Sequence, residues 1–97
     1  MTKKTFNTIF KSEKFKNLLK AYKVKRAAIF GSYAKGMFRK GSDIDFLVEF
    51  QKEADLFDQV GLRIDLKKLF HRDVDVVTPK SLSQYIRRQI LEEAVYL

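Results

Sequence analysis

Three short apolar runs constrain the fold of this 97-residue chain more than any other feature. They are VKRAAIF (Val24–Phe30), IDFLVEF (Ile44–Phe50) and VDVV (Val74–Val77). Apolar runs of this length, bounded by residues that break regular structure, predict strands. Gly31-Ser32 ends the first run, and Thr78-Pro79 ends the third, because proline cannot donate a ladder hydrogen bond.

Helical patterns occupy three other segments. Ser12 is a predicted N-cap, and the helix after it places four apolar residues at helical spacing: Phe15, Leu18, Leu19 and Tyr22. Residues 55–70 predict an amphipathic helix, despite Gly61, with these apolar positions: Leu56, Phe57, Val60, Ile64 and Leu69. Residues 81–84 fit a capping box, which predicts a last helix with one apolar face: Leu82, Tyr85, Ile86, Ile90 and Ala94.

The predicted order is therefore helix, strand, strand, helix, strand, helix. This order predicts a small mixed sheet flanked by helices, in the α/β or α+β class. The length predicts one domain over residues 1–97. The nine phenylalanines are predicted to lie in its core.

Composition limits the classes of function. The chain has no cysteine, which excludes a disulfide framework and a thiolate metal site and favours a reducing compartment. No apolar run is long enough to cross a bilayer and no signal peptide is recognisable, so we expect a cytoplasmic protein without a membrane partner. The net charge of +8 fits a nucleotide, an acidic protein surface or a nucleic acid, the last being less favoured because the basic residues are dispersed.

Two aspartates stand at the beginning of the second apolar run. Asp43 and Asp45 point to the same side of a strand, because strand side chains alternate between faces. Carboxylates spaced roughly 7 Å apart along a strand can hold hard cations such as Mg²⁺, which takes its other ligands from water and phosphates. Asp75 on the third run is a further candidate ligand if its strand lies beside the second.

A second candidate feature precedes these carboxylates. Gly31-Ser32 follows a strand and opens a short helical turn, where backbone N–H groups and the serine hydroxyl can bind an anion. Lys35, Arg39 and Lys40 lie between this turn and the aspartates and can neutralise a polyphosphate. Each signal is weak alone, since Gly-Ser turns and basic loops are common.

The order and spacing of these features resemble the polymerase-β-type nucleotidyltransferase superfamily, and specifically its smallest branch, the minimal nucleotidyltransferase (MNT) proteins. The resemblance covers about residues 24–78 and rests on three segments: GSYAKG from Gly31, SDIDFLV from Ser42 and RDVDVV from Arg72. Two positions depart from the usual pattern. Lys35 stands where many relatives carry arginine; lysine keeps the positive charge but cannot form arginine's two parallel hydrogen bonds to a phosphate. His71 stands where a glycine often precedes the third segment.

The resemblance implies a role for each matching residue. Asp43 and Asp45 would hold two Mg²⁺ ions, and Asp75 would be a third ligand or the base that deprotonates the attacking hydroxyl. Gly31 and Ser32 would bind the β- and γ-phosphates of ATP, and Lys35 and Arg39 would assist: the nucleotide-binding set is Gly31, Ser32, Lys35 and Arg39. The reaction would transfer a nucleotidyl group and release pyrophosphate.

The acceptor is not specified by the motif. Larger relatives carry an additional acceptor domain, and a minimal core is expected to depend on a partner. The chain resembles the antitoxin half of HEPN/MNT toxin–antitoxin pairs, which implies AMP transfer from ATP to a tyrosine of a HEPN ribonuclease toxin. Two alternatives remain open: an antitoxin that masks its toxin by binding alone, and a nucleotidyltransferase that acts on a small molecule or an RNA end.

Overall fold

The computed structural model describes residues 3–36 and 43–97. It contains four strands: β1 (Val24–Phe30), β2 (Ile44–Phe50), β3 (Val74–Val77) and β4 (Val95–Tyr96). Its helices are α1 (Lys3–Lys11), α2 (Glu13–Ala21), α3 (Gly31–Ala34), α4 (Leu56–Phe70) and α5 (Gln84–Glu93), and a 3₁₀ turn covers Pro79–Ser81. The three predicted strands are confirmed, as is the mixed α/β class.

The sheet has the order β3-β2-β1-β4. β1 runs antiparallel to both β2 and β4, whereas β2 and β3 are parallel. The register places Asp45 between Phe30 on β1 and Asp75 on β3. The two aspartates therefore project from the same face of the sheet.

The core lies on the other face of the sheet, beneath α1, α2 and α4. Alternate strand residues such as Ile44, Phe46 and Val48 are fully buried there. Aromatic rings from distant segments pack together in this layer, with Phe46 and Phe70 at 5.8 Å between ring centroids. This layer packs against one face of the sheet, and Asp45 and Asp75 lie on the opposite face. The fully buried aromatic residues are Phe6, Phe15, Phe46 and Phe70.

Local capping explains where the helices begin and end. Ser12 accepts a hydrogen bond from the Phe15 N–H and caps α2, as predicted. Asp55 and Asp58 form a reciprocal capping box at the start of α4. The Asp55 N–H, and then Lys23 at 3.2 Å, holds the pKa of Asp58 below its ordinary value. α4 ends at His71, whose left-handed backbone (φ 54°) is a conformation that glycine adopts more easily.

The outer edge of β3 is covered by side chains of α4. The Arg63 guanidinium donates to the Val74 carbonyl at 2.9 Å, and the Gln59 amide donates to the Val76 carbonyl at 3.1 Å. Gln59 and Arg63 are one helical turn apart, so they reach alternate residues of the strand. The edge carbonyls thus have protein partners.

Two elements were not predicted, and the start of a third was predicted wrongly. α1 and β4 have no counterpart in the sequence interpretation. The last helix begins at Gln84 with Ser83 as its N-cap, so the predicted capping box over residues 81–84 is wrong. A proline at 79 starts the 3₁₀ turn instead and delays the helix. Two residues of its predicted apolar face, Tyr85 and Ile86, are exposed. The other three are half-buried: Leu82, Ile90 and Ala94.

The buried face of α4 also differs from the prediction. Leu62, Leu66 and Phe70 are buried, whereas four of the five residues predicted for the apolar face are exposed: Leu56, Phe57, Val60 and Ile64. Only Leu69 packs against the core. Phe57, at 86% exposure, therefore contradicts the prediction that every phenylalanine is a core residue, and Phe38 lies outside the described residues. The error has a physical cause, since α4 is apolar on two sides and periodicity alone cannot choose between them.

Among the helices that the structure describes, none has both the length and the apolar character needed to cross a membrane.

Two leucines of α4 provide a matched stability test. Leu62 is fully buried and Leu56 is 71% exposed. We expect Leu62→Ala to lower the free energy of unfolding by about 2–5 kcal/mol, because it leaves a cavity. Leu56→Ala should change it by less than about 0.5 kcal/mol. Urea denaturation followed by circular dichroism measures both, and similar losses for the two variants would contradict the assigned buried face.

Candidate active site

The candidate site is built around Asp45, which lies near the start of β2. Its neighbours across the sheet are Phe30 on β1 and Asp75 on β3, and Asp43 lies two residues earlier on the same chain. Asp45 is half-buried, whereas Asp43 and Asp75 are exposed. The structure therefore brings the three predicted carboxylates to one edge of one sheet face, and two of them are open to solvent.

Gly31 packs directly against the Asp45 carboxylate. A Cβ atom at Gly31 would lie 2.5 Å from Asp45 Oδ2, which is too close for any side chain. Gly31 also has φ +70°, in the left-handed region where glycine carries no steric penalty. Both requirements explain why the turn after β1 begins with glycine.

The short helix α3 that Gly31 opens is anchored from the core side. Tyr33 is buried, and its ring meets the ring of Phe6 edge-on at 5.0 Å between centroids. The Arg72 guanidinium lies 5.8 Å from the Phe6 ring centre. The sequence analysis predicted Phe6 as one of nine core phenylalanines, which the structure confirms, but it did not place Phe6 in a helix or against α3. The usable signal was the helical spacing of Phe6, Ile9 and Phe10 ahead of Ser12.

Burial raises the pKa of Asp45, and the negative charges of Asp75 and then Asp43 raise it further. Removing a carboxylate from water and placing it beside other carboxylates both disfavour its ionised form. A cation bound between these groups would relieve that repulsion. The donor set is also the oxygen-only set that Mg²⁺ prefers.

The predicted metal ligands do not form a closed cluster. Within residues 3–36 and 43–97, no three acidic or histidine side chains lie close enough together to hold a metal ion by themselves. An Mg²⁺ site here would therefore need ligands from water and phosphate, as this ion commonly does. The three carboxylates and the Gly31 turn fit such a site.

The predicted phosphate-binding residues are only partly covered by the structure. Ser32 is half-buried on α3, and its hydroxyl makes no hydrogen bond to any described residue. Lys35 follows α3, and its ammonium lies 3.9 Å from Glu93 Oε2 on α5. Arg39 and Lys40 lie outside the described residues. Glu93 was missed because a contact between distant, solvent-exposed residues leaves no pattern in the sequence.

Substituting Gly31 should displace Asp45. Gly31→Ala and Gly36→Ala both place a side chain at positive φ, which costs about 1–2 kcal/mol. At Gly36, however, no atom of residues 3–36 and 43–97 apart from its chain neighbours lies within 4 Å of the added Cβ. We expect Gly31→Ala to lose more unfolding free energy than Gly36→Ala and to shift the Asp45 carboxyl resonance. Urea denaturation and carboxyl ¹³C NMR measure these effects, and equal behaviour of the two variants would show that the contact is unimportant.

Neutralising Asp45 should stabilise the protein at neutral pH. A carboxyl group whose pKa is raised on folding destabilises the folded state once ionised, so this cost is absent below the unfolded pKa and complete above the folded one. We expect Asp45→Asn to have a higher melting temperature than the unsubstituted protein at about pH 7, with the gap closing at about pH 3. Metal-free thermal unfolding measures this, and a less stable variant at neutral pH would contradict it.

Residues 12–97 match the nucleotidyltransferase domain family. A protein of Methanocaldococcus jannaschii, provisionally named a protein adenylyltransferase, is 44% identical over 78 residues, which cover 80% of this chain and 84% of that protein. Protein adenylyltransferase MntA of Thermococcus cleftensis is 34% identical over 82 residues, covering 84% of this chain and 83% of the relative.

Solved structures agree with these sequence relatives. A structure provisionally described as a minimal nucleotidyltransferase superimposes with a TM-score of 0.87 at 33% identity, covering 100% of this chain and 97% of the other. A complex of the tri-AMPylated HEPN toxin of Shewanella oneidensis with its MNT antitoxin gives 0.62 at 26% identity, covering 86% of this chain and 65% of that one. The chain therefore belongs to the nucleotidyltransferase family and is an enzyme of its minimal branch.

Proposed function

We propose that this protein is an antitoxin that transfers AMP from ATP to a tyrosine hydroxyl of a HEPN ribonuclease toxin. The observation that carries the proposal is the Asp45 site. The half-buried Asp45 carboxylate is packed against a glycine turn. Burial, and then the charges of two neighbouring carboxylates, raise its pKa. Such an arrangement makes the ionised carboxylate unfavourable in the isolated protein, and it suits a protein that binds cations and phosphates at this place.

The glycine turn and α3 supply the nucleotide-binding part of the proposed site. Gly31 lies so close to Asp45 that this position of the turn has no room for a side chain. Phosphates can therefore approach the backbone of the turn. The Ser32 hydroxyl can donate to a phosphate oxygen, since it makes no hydrogen bond within the described ranges. Lys35 can add a positive charge by leaving Glu93, because an exposed pair at 3.9 Å contributes little stability.

Asp43, Asp45 and Asp75 would hold two Mg²⁺ ions, which would stabilise charge on the attacking and leaving oxygens. In the proposed reaction, the tyrosine oxygen forms a bond to the α-phosphorus of ATP. The bond between that phosphorus and the bridging oxygen breaks, and pyrophosphate leaves. The alternative role of Asp75 is that of the base: its carboxylate would then accept the tyrosine proton instead of holding a metal ion, for which its exposed position beside Asp45 is suitable.

The proposal of a protein acceptor has two supports. Asp43 and Asp75 are exposed, so a side chain on another protein can reach the site without entering a deep cavity. The MNT antitoxin in the solved Shewanella complex is bound to a HEPN toxin that carries three AMP groups. AMP on a tyrosine would then inactivate the partner toxin.

The test is AMP transfer to a purified HEPN toxin. The two purified proteins are incubated with labelled ATP and Mg²⁺, and intact mass spectrometry measures AMP on each. We expect added AMP on the partner, with a loss of roughly 10²-fold or more in rate for the Asp43→Asn, Asp45→Asn double variant. Asp73→Asn is the matched control, because Asp73 pairs with Lys67 at 2.9 Å on the surface and lies outside the proposed site.

Three outcomes would overturn this proposal in different ways. Unchanged AMP transfer by the double variant would remove the carboxylates from the reaction. A stable complex without added mass would indicate an antitoxin that acts by binding alone. Labelling of RNA ends or a small molecule, with the partner unlabelled, would show a different acceptor.

A further inference from the structure

α4 is apolar on two opposite sides. Leu62, Leu66 and Phe70 face the core and are fully buried. The outer side carries four exposed apolar residues, which we call the α4 stripe: Leu56, Phe57, Val60 and Ile64. They are 71%, 86%, 50% and 50% exposed, in that order. Helices that are apolar all round are normally buried on both sides, so the α4 stripe is unusual for a surface helix.

The spacing of the stripe makes it continuous. Phe57, Val60 and Ile64 are separated by three and four residues, which places them along one side of the helix. Isolated exposed apolar residues need no explanation, but a contiguous apolar patch with charged residues around it marks an interaction surface. The stripe thus has the pattern of one half of a helix–helix contact.

The charges at the two ends of the stripe are opposite. Glu53 and Asp55 are exposed just before the helix, beside the exposed Lys52. Lys68 is exposed in the last turn, and Lys67 there pairs with Asp73 at 2.9 Å. Neither Glu53 nor Lys68 has an ion pair with another described residue. A surface that is acidic at one end and basic at the other complements a copy of itself turned through 180°.

An antiparallel pair of α4 helices would join these features. With a two-fold axis between Val60 and Gly61, Phe57 of one copy would meet Ile64 of the other. The segment before α4, which carries Glu53, would then lie near the last turn of the other copy, which carries Lys68. Apolar residues would occupy the centre and charges the rim, which is the usual arrangement of protein interfaces.

The location of the stripe leaves the enzyme site free. α4 packs on the sheet face that carries Ile44 and Phe46, and the stripe lies on the side of α4 away from the sheet. Asp45 and Asp75 project from the opposite sheet face. Contact through α4 would therefore keep both active sites accessible.

We propose that the α4 stripe binds a second copy of this chain in an antiparallel, two-fold arrangement. Charge self-complementarity favours this occupant over an unrelated helical partner, which would have no reason to match both ends of α4. The apolar area of four side chains is small beside the roughly 800 Å² per partner of a typical specific interface. The dimer is accordingly weak and depends on concentration.

Sedimentation equilibrium of the purified protein over a range of concentrations tests the proposal. We expect a monomer–dimer equilibrium, with a dissociation constant raised about tenfold or more by Phe57→Ser or Val60→Glu. Tyr85→Ser is the matched control, because Tyr85 on α5 is 93% exposed and lies outside the stripe. Circular dichroism verifies that each variant is folded.

Charge reversal distinguishes self-association from other contacts. Glu53→Lys and Lys68→Glu should each weaken the dimer, because each places like charges opposite one another. The double variant should restore it, since the pairs are re-formed with opposite signs. Restoration is expected only if the same surface occurs on both partners in antiparallel orientation.

Several results would overturn the proposal. They are a monomer at the highest soluble concentration, a dimer unaffected by Phe57→Ser and Val60→Glu, and a double charge reversal that fails to restore association. Loss of binding to a HEPN toxin on Phe57→Ser, with the chain monomeric throughout, would assign the stripe to that partner. AMP transfer by the monomeric Phe57→Ser variant is measured separately, so failure of the proposed dimer leaves the proposed enzyme function intact.

Discussion

The close approach of Gly31 to the Asp45 carboxylate is the contact around which the functional side of this protein is arranged. It requires β1 to end at a residue with positive φ and no side chain. It also requires β2 to pair with β1 so that Asp45 lies opposite Phe30. The parallel pairing with β3 then adds Asp75 beside Asp45. The turn after β1, the register of the strands and the positions of the carboxylates therefore depend on one another.

Most of the apolar core lies on one face of the sheet, and the candidate site lies on the other. The aromatic and aliphatic layer under α1, α2 and α4 supplies the apolar burial that holds the strands in place. The other face carries carboxylates that repel one another, and burial together with this repulsion raises the pKa of Asp45. A site with such repulsion persists only on a framework stabilised elsewhere, which is the usual relation between an active site and its fold.

Local sequence patterns predicted the elements whose signals are local. The three strands and the Ser12 cap follow from neighbouring residues, and the structure confirms them. The structure also brings Gly31 into contact with Asp45. The outward side of α4 and the Lys35–Glu93 contact could not be predicted, because both depend on which distant surfaces meet. The β4 strand is two residues long, too short for a period-two pattern. The metal and nucleotide roles of the site residues stay proposals.

The hydrogen bonds from Gln59 and Arg63 to the β3 carbonyls have a consequence for how this protein can associate. An uncovered edge strand is a template on which foreign strands add, and it leads to aggregation. Here the Val74 and Val76 carbonyls already have side-chain donors. Extension of the sheet past β3 would have to displace a guanidinium and an amide. At this edge, partners that recognise side chains are thereby favoured over the addition of a foreign strand.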